Sequence, residues 1–306
     1  MNNSDIIFLD KRIINGQTIM LVRDDVYPYI GGGSKARKAV AYEKYLKDNN
    51  YNAVVTCGGI QSNHNRAIAL MCARNGWKCH LCIQGSKERF YSEKGNALLC
   101  RLSGAVCEII QPEETANAMI RAIDKLKEDG HNPFYVIGGG HNLPGGTCYV
   151  DAVIELKRLY SKIGYKPDYI FLASGTGSTQ AGIVVGLDIV GWSDVKVIGI
   201  SVARNEIRGK QIIVDFANML ASHYGINKNY TDSILFTDEY LCGGYEQYSE
   251  EMQNFITKTT QETGIVFDTT YSGKGLFGMI KEIEINNLRD KNIIFWHTGG
   301  IMNIMK

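Results

Sequence analysis

A chain of 306 residues with 44% apolar and 21% charged side chains is long enough to bury a large core and too apolar to stay disordered. Its 33 basic and 32 acidic side chains leave a net charge of +1, with neither sign gathered into a run, which argues against a nucleic-acid partner. No stretch of about eighteen apolar residues occurs, and the opening MNNSDIIFLDKR has no basic segment leading into an apolar one; the sequence therefore predicts neither a membrane span nor a secretory leader, and a cytoplasmic chain.

Short extended segments are expected near IIFLD and TIMLVRD. From about Lys35 the chain alternates: a helix, strand NAVVTC, a helix from about Asn63, strand KCHLCI, helix EKGNALLCRL, strand AVCEII, a helix from about Glu113 to Glu128, and strand FYVI. The glycine-dense GGGHNLPGG then marks a junction between lobes. Beyond it come strand DYIFLAS, a helix after GTGSTQAG, strand KVIGISVA, a helix through IIVDFANML, strand SILF, a helix through YSEEMQNFITKTTQ, and finally strand NIIFW. This is the rhythm of βαβ units, which predicts an α/β fold of mostly parallel sheets with ligand sites at the carboxyl ends of the strands. The 8 cysteines are spread over a long chain and read as reduced, buried thiols. Cys79 and Cys82 do form a CxxC, but strand alternation sends their sulfurs to opposite faces, and no second CxxC completes a zinc site.

Among the strand-end turns, ASGTGSTQAG carries the strongest local signal, because it follows a strand and opens a helix as a phosphate cradle requires. Gly175 and Gly177 let the backbone approach an anion, while Thr176, Ser178 and Thr179 bring hydroxyls near the positive end of the helix dipole. No Gly-Lys-Ser/Thr follows, which excludes a P-loop; Gln180 stands where the dinucleotide fingerprint has its third glycine, and the next strand runs into Ala203 and Arg204 with no acid, so a compact phosphate monoester fits better. In YIGGGSKARK, Ser34 is placed to cap a helix whose first turn holds Lys35, Arg37 and Lys38. The helix dipole and Arg37 both oppose a charged Lys35, which favours a nucleophilic amine over a solvated cation. TCGGIQSNHNR supplies Ser62, Asn63 and His64 at another strand end, more polar groups than capping alone uses. FDTTYSGKG and FWHTGG add Tyr271, Ser272, Lys274, His297 and Thr298; singly, Tyr271 suits a core aromatic, Lys274 a solvated cation and His297 a satisfied buried histidine.

Taken in order, GGGSKARK, TCGGIQSNHNR, SGTGSTQAG, TTYSGKG and HTGG resemble the D-cysteine desulfhydrase and 1-aminocyclopropane-1-carboxylate deaminase family of pyridoxal-phosphate enzymes, over nearly the whole chain. The resemblance implies the tryptophan-synthase-β-like architecture (fold type II): two open, twisted, mostly parallel sheets with flanking helices, a large cofactor-binding domain from 1–35 and 148–306, and a small inserted domain over 36–147. It also implies a homodimer and a small amino-acid substrate. By the same resemblance Lys35 is the Schiff-base lysine, Asn63 the partner of the cofactor's 3′-oxygen, and residues 175–179 the phosphate loop. Ser62 meets the substrate carboxylate or relays a proton, with Asn63 and His64 beside it in the carboxylate-binding turn. Tyr271 stacks on the cofactor, and Tyr245, within CGGYEQ, is a second active-site tyrosine. The position after Tyr271 is a glutamate in the ring-opening deaminases and a hydroxyl residue in the desulfhydrases; here it is Ser272, so Ser272 or Thr298 is expected at the pyridine nitrogen. That favours α,β-elimination to a keto acid and ammonia, with cyclopropane ring opening, racemisation and β-replacement as the alternatives. A nicotinamide-dependent oxidoreductase would leave Lys35 and the SNH turn without roles.

Overall fold

A computed structural model of the chain describes residues 7–306; MNNSDI, part of the stretch read above for a leader, lies outside the described residues. Strands β1 (Leu9–Ile14) and β2 (Gln17–Arg23) pair antiparallel, with Ile14 opposite Gln17. Asn15 and Gly16 between them take φ of 51° and 75°, the two positive values of a type I′ turn, whose twist matches that of the strands it joins. Helix α1 (Ser34–Asp48) follows.

The chain divides into two compact units. The small one holds Pro28–Gly31, Lys35–Gly145 and Met302–Lys306; the large one holds the described residues up to Tyr27, Gly32–Ser34 and Gly146–Ile301. The final segment, expected with the large domain, groups with the small unit because Asn303 Oδ1 accepts from the buried Asn96 amide at 2.7 Å.

The small unit continues through β3 (Ala53–Gly59), α2 (Asn63–Asn75), β4 (Lys78–Gln84), α3 (Lys87–Ser92), α4 (Gly95–Leu102), β5 (Val106–Ile110), α5 (Thr115–Glu128) and β6 (Pro133–Tyr135). Its sheet is parallel throughout, in the order β5-β4-β3-β6. The helix expected over EKGNALLCRL is α4, which starts two residues in at Gly95; α3, which the sequence does not announce, precedes it, and the two are separated at Glu93 and Lys94 where the backbone leaves the helical region. Strand alternation puts Cys79, Leu81 and Ile83 in one apolar cluster with α2, and Cys82 in another with Ala118, Met119 and Ala122 of α5, so the CxxC sulfurs do face opposite ways.

In the large unit come α6 (Leu143–Ile163, its first turn in the small unit), β7 (Tyr169–Ser174), α7 (Ser178–Ile189), β8 (Lys196–Ser201), α8 (Glu206–His223), β9 (Leu235–Thr237), α9 (Glu250–Thr263), α10 (Ser272–Ile285) and β10 (Ile293–His297). Its sheet runs β1-β2-β10-β7-β8-β9, parallel except for the first pair. All five residues of β10 are buried, as a central strand covered on both faces requires. FDTTYSGKG, read above as a strand-end turn, is the entry to α10. Glycines lower that helix's intrinsic propensity but let it lie close on the sheet: a Cβ at Gly275 would come 2.9 Å from Ala173 N, and one at Gly278 2.7 Å from Ile200 Cγ2. Among the described residues no helix is long and apolar enough to cross a membrane.

The entry to α1 is tied to the large unit's core by backbone bonds. Asp24 O accepts from Tyr27 N–H (2.9 Å) and Gly33 N–H (2.7 Å), and Asp24 Oδ2 accepts from Tyr149 OH (2.7 Å) and Trp296 Nε1–H (2.9 Å). Asp24, Tyr149 and Trp296 are all buried. Asp24→Ala removes the acceptor that the Tyr149 hydroxyl and the Trp296 indole share and is expected to cost about 3 kcal/mol, seen as a lower urea midpoint of unfolding.

Candidate active site

In the large unit, β7 ends at Ser174 and α7 opens at Ser178, so the glycine-rich segment is a strand-to-helix turn. Gly177, with φ of 89°, precedes the helix, and a Cβ there would lie 2.5 Å from Ile213 Cγ1. The first bond of α7 runs from Ala181 N–H to Gly177 O (2.9 Å); the amides before it are the donors an anion would take, at the positive end of the dipole. Gly175 and Thr176 are half-buried, whereas Ser178 and Thr179 are buried. Arg204 donates to the Gly175 carbonyl and so fixes the orientation of that peptide. Burial, then the neighbouring Arg208, lowers the Arg204 pKa. The sequence offered Arg204 only as a missing acid; its hold on the loop needed the fold. At the strand end Ser174 Oγ is buried without a partner among the described residues, so the turn carries more polar capacity than the protein itself uses, which suits a phosphate.

At the start of α10, Asp268 is 1% exposed and accepts from the N–H groups of Thr270 (3.1 Å), Tyr271 (2.9 Å) and Ser272 (2.8 Å). It also accepts the Ser272 hydroxyl proton at 2.8 Å, while Ser272 Oγ accepts from Asp268 N–H at 3.1 Å. Burial raises the Asp268 pKa against the pull of these bonds. A hydroxyl has one proton, and that of Ser272, fully buried, is committed to Asp268; Ser272 therefore cannot also donate to a ring nitrogen. Thr298 differs: half-buried, it uses its carbonyl to accept Ser34 N–H (2.8 Å) and leaves its hydroxyl without a partner among the described residues. His297 is a satisfied buried histidine. Its Nδ1 accepts from Gly299 N–H (3.2 Å), its Nε2–H donates to Val266 O (3.0 Å), its ring stacks on Phe267, and burial lowers its pKa, which keeps it neutral.

Lys274, expected as a solvated cation if taken alone, is fully buried and donates to Leu241 O (2.7 Å) and Gly244 O (2.9 Å). It clamps the loop that carries Tyr245, whose hydroxyl lies 2.5 Å from that of Tyr271. The two rings meet edge-on at 6.0 Å. Burial pushes the Tyr245 phenol up to about 12 and Tyr271 well above its ordinary value, so both are protonated at neutral pH. One proton bridges the pair; the other is available to a third atom.

In the small unit, Lys35 is half-buried and Arg37 and Lys38 are each 1% exposed, so the basic first turn of α1 does not reach into solvent. Lys35 Nζ donates to Gly139 O at 2.9 Å, and Lys38 Nζ reaches the same oxygen at 3.4 Å. The helix begins at Ser34 itself, one residue earlier than a Ser34 cap would place it, after Gly33 with φ of 84°. Ser62 caps α2 by accepting Asn65 N–H at 3.1 Å, which leaves the Ser62 proton for another acceptor. Asn63 Oδ1 accepts from Asn96 Nδ2 (3.1 Å), so its own NH2 is the face left to donate. Asn96, absent from the sequence reading, also bonds Gln61 O (3.1 Å) and Gln61 Oε1 (3.0 Å, through its backbone N–H), and so fixes the whole turn. His64 departs from expectation. Its side chain is 4% exposed and its Nε2 lies 2.9 Å from Thr56 Oγ1, which donates in turn to Val136 O (2.7 Å). His64 is therefore the donor of that pair; burial, then Lys35 and Lys38, hold its pKa well below the usual value, and it offers a ligand its backbone rather than its ring.

Lys274→Met removes the donor from two loop carbonyls and is expected to raise hydrogen exchange of residues 241–247 by at least about tenfold, with the amides of β7 unchanged. Equal exchange in the variant and the parent would show that the loop does not depend on this ammonium.

Residues 8–299 match the family model described as pyridoxal-phosphate dependent enzyme. The chain is 30% identical over 292 residues to the D-cysteine desulfhydrase of Serratia proteamaculans, covering 93% of this chain and 87% of that one. A crystal structure described as an ACC deaminase homologue superposes with a TM-score of 0.83 at 26% identity, over 95% of this chain and 86% of that one. A hydrogen-sulfide-producing enzyme of Fusobacterium nucleatum, 14% identical, shares the fold with a TM-score of 0.68 over 98% and 97% of the two chains. With nearly its full length matched, the chain belongs to the family of pyridoxal-phosphate-dependent enzymes.

Proposed function

We propose that this pyridoxal-phosphate-dependent lyase carries out α,β-elimination on a small amino acid with a sulfur leaving group, D-cysteine being the first substrate to test. With one water consumed, D-cysteine would yield pyruvate, ammonia and hydrogen sulfide. In this reading Lys35 Nζ would hold the cofactor covalently, the amides and hydroxyls of residues 175–179 would bind its phosphate, Asn63 Nδ2 would donate to its 3′-oxygen, and the Thr298 hydroxyl would serve its pyridine nitrogen. The bound cofactor supplies an electron-withdrawing system for the bonds at the amino acid's Cα.

The residues of this chain do the rest. Lys35 Nζ takes the Cα proton, and the neutral His64 beside it adds no competing charge. Ser62 Oγ, already accepting from Asn65, gives its proton to the substrate carboxylate at the α2 N-terminus, where the His64 backbone also lies. The unbridged proton of the Tyr271–Tyr245 pair goes to the departing sulfur. We also infer a cytoplasmic homodimer, on the family resemblance.

The observation that carries elimination over cyclopropane ring opening is the state of position 272. It is a fully buried serine whose proton belongs to Asp268, so it brings no acid to the ring nitrogen, and a Thr298 hydroxyl leaves that nitrogen unprotonated. Ser272→Glu alone would set a second carboxylate against the buried Asp268, so the sequence difference between the two activities is not convertible by that one change.

Borohydride reduction of the purified yellow protein is expected to fix the cofactor on Lys35, and Lys35→Ala to lower pyruvate release from D-cysteine by at least about 1,000-fold. A colourless protein that takes up no pyridoxal phosphate would sink the reading. Release of 2-oxobutyrate from 1-aminocyclopropane-1-carboxylate, without pyruvate from D-cysteine, L-cysteine or β-chloroalanine, would replace elimination by ring opening. Thr298→Val is expected to shift the absorption of the bound cofactor, whereas Ser272→Ala is expected to lower the urea midpoint and leave that absorption in place.

A further inference from the structure

We propose that His80, Cys82 and Glu108 of the small unit form a binding site for a borderline-soft divalent cation, Zn2+ by the chemistry of its donors. His80 and Cys82 stand two residues apart on β4 and so share a face of the sheet, and Glu108 is the register partner of Cys82 on β5. An imidazole nitrogen, a thiol sulfur and a carboxylate oxygen from these three residues lie within 4.8 Å of one another. Zn–N and Zn–O bonds of about 2.0–2.1 Å and a Zn–S bond of about 2.3 Å put tetrahedral donor atoms roughly 3.3–3.6 Å apart. Side-chain rotation on two fixed parallel strands covers the difference.

Donor identity narrows the cation. A thiol with an imidazole selects zinc and its thiophilic neighbours over Mg2+ and Ca2+, which take oxygen ligands. Arg121 donates to Glu108 Oε1 at 3.0 Å and directs Oε2 toward His80, 2.9 Å from its Nε2, the outer support that ligating carboxylates usually have. Metal entry displaces the Cys82 proton, and thiolate and carboxylate then set two negative charges against the Zn2+ ion and Arg121. An ion-pair reading of His80, Glu108 and Arg121 accounts for two of the three donors, and the third is the Cys82 thiol, packed on its other side against Ala118, Met119 and Ala122.

The site has a route to solvent. His80 and Glu108 keep 17% and 32% of their side-chain surface exposed, and His80 also lines a cavity of about 450 Å3 with Trp77, Val106 and Leu126. Cys57, the register partner of Cys82 on β3, brings another half-buried thiol to the same face of the sheet. The CxxC is thus uninformative as a pair, since Cys79 points to the other face, and Cys82 finds its partners across the sheet.

The test uses the holoenzyme, stripped with a chelator and then given Zn2+ or Co2+ alone. One equivalent of Zn2+ per chain should survive desalting, and Co2+ should develop the visible bands of a tetrahedral ion with a thiolate charge-transfer band. Cys82→Ser should abolish the charge-transfer band, and His80→Ala and Glu108→Gln should each weaken Zn2+ binding at least about tenfold. Lys35→Ala, which bears on the cofactor alone, should leave the Co2+ spectrum in place. Failure to retain Zn2+, a Co2+ spectrum without the thiolate band, or binding in Cys82→Ser equal to the parent would each overturn the proposal, and none of these results bears on elimination.

Discussion

The carboxylate of Asp268, buried where α10 begins, is the constraint around which the large unit's functional groups are arranged. It gathers three successive backbone N–H groups and one hydroxyl, so the chain over residues 268–272 has a single conformation that satisfies it. Gly300 follows from the same anchor, because any Cβ there would collide with the carboxylate. Tyr271 is thereby aimed outward while Ser272 is turned in, and two adjacent residues of one motif end in opposite roles. Removal of such an acceptor would strand several buried donors at once, each costing about 1–3 kcal/mol.

Counting protons separates the side chains that can serve a ligand from those that only hold the fold. Ser272 and His64 have each committed their donor to a neighbour in the protein. Ser62 and Asn63 have committed an acceptor and kept a donor, and the Tyr245–Tyr271 pair keeps one proton of two. Positioning depends on further residues: Asn96 beneath Asn63, Arg204 beneath the glycine-rich turn at Gly175 and Lys274 beneath the Tyr245 loop.

Much of this was legible in the sequence, for a physical reason. Buried parallel strands such as YIFLAS and IIFWH read as short apolar runs, and the glycine-rich turns at their carboxyl ends stand out because only backbone can come so close to an anion. The segments that hid were α6 and α10, whose glycines look like turns until the helices are seen to need close approach to their neighbours. The INGQ hairpin carries its own signal in Asn15 and Gly16, a pair that suits the two positive φ values of its turn. Ser272 and His64 show the limit on the site: residue type and spacing place a group in a turn, but which way it points is decided by partners such as Asp268 and Thr56, distant in character from any motif. Asn96 and Asn303 are 207 residues apart, and nothing local announces their contact.

The carbonyl of Gly139 has a consequence for the working cycle. Two ammonium groups share it, Lys35 at 2.9 Å and the buried Lys38 at 3.4 Å. A carbonyl held by one donor resists that donor's departure, since it is left bare at a cost of about 1–3 kcal/mol. Here the second lysine stays behind. If Lys35 leaves for the cofactor, as proposed, the Gly139 oxygen still has the Lys38 ammonium within reach, so the departure would not strand a bare carbonyl.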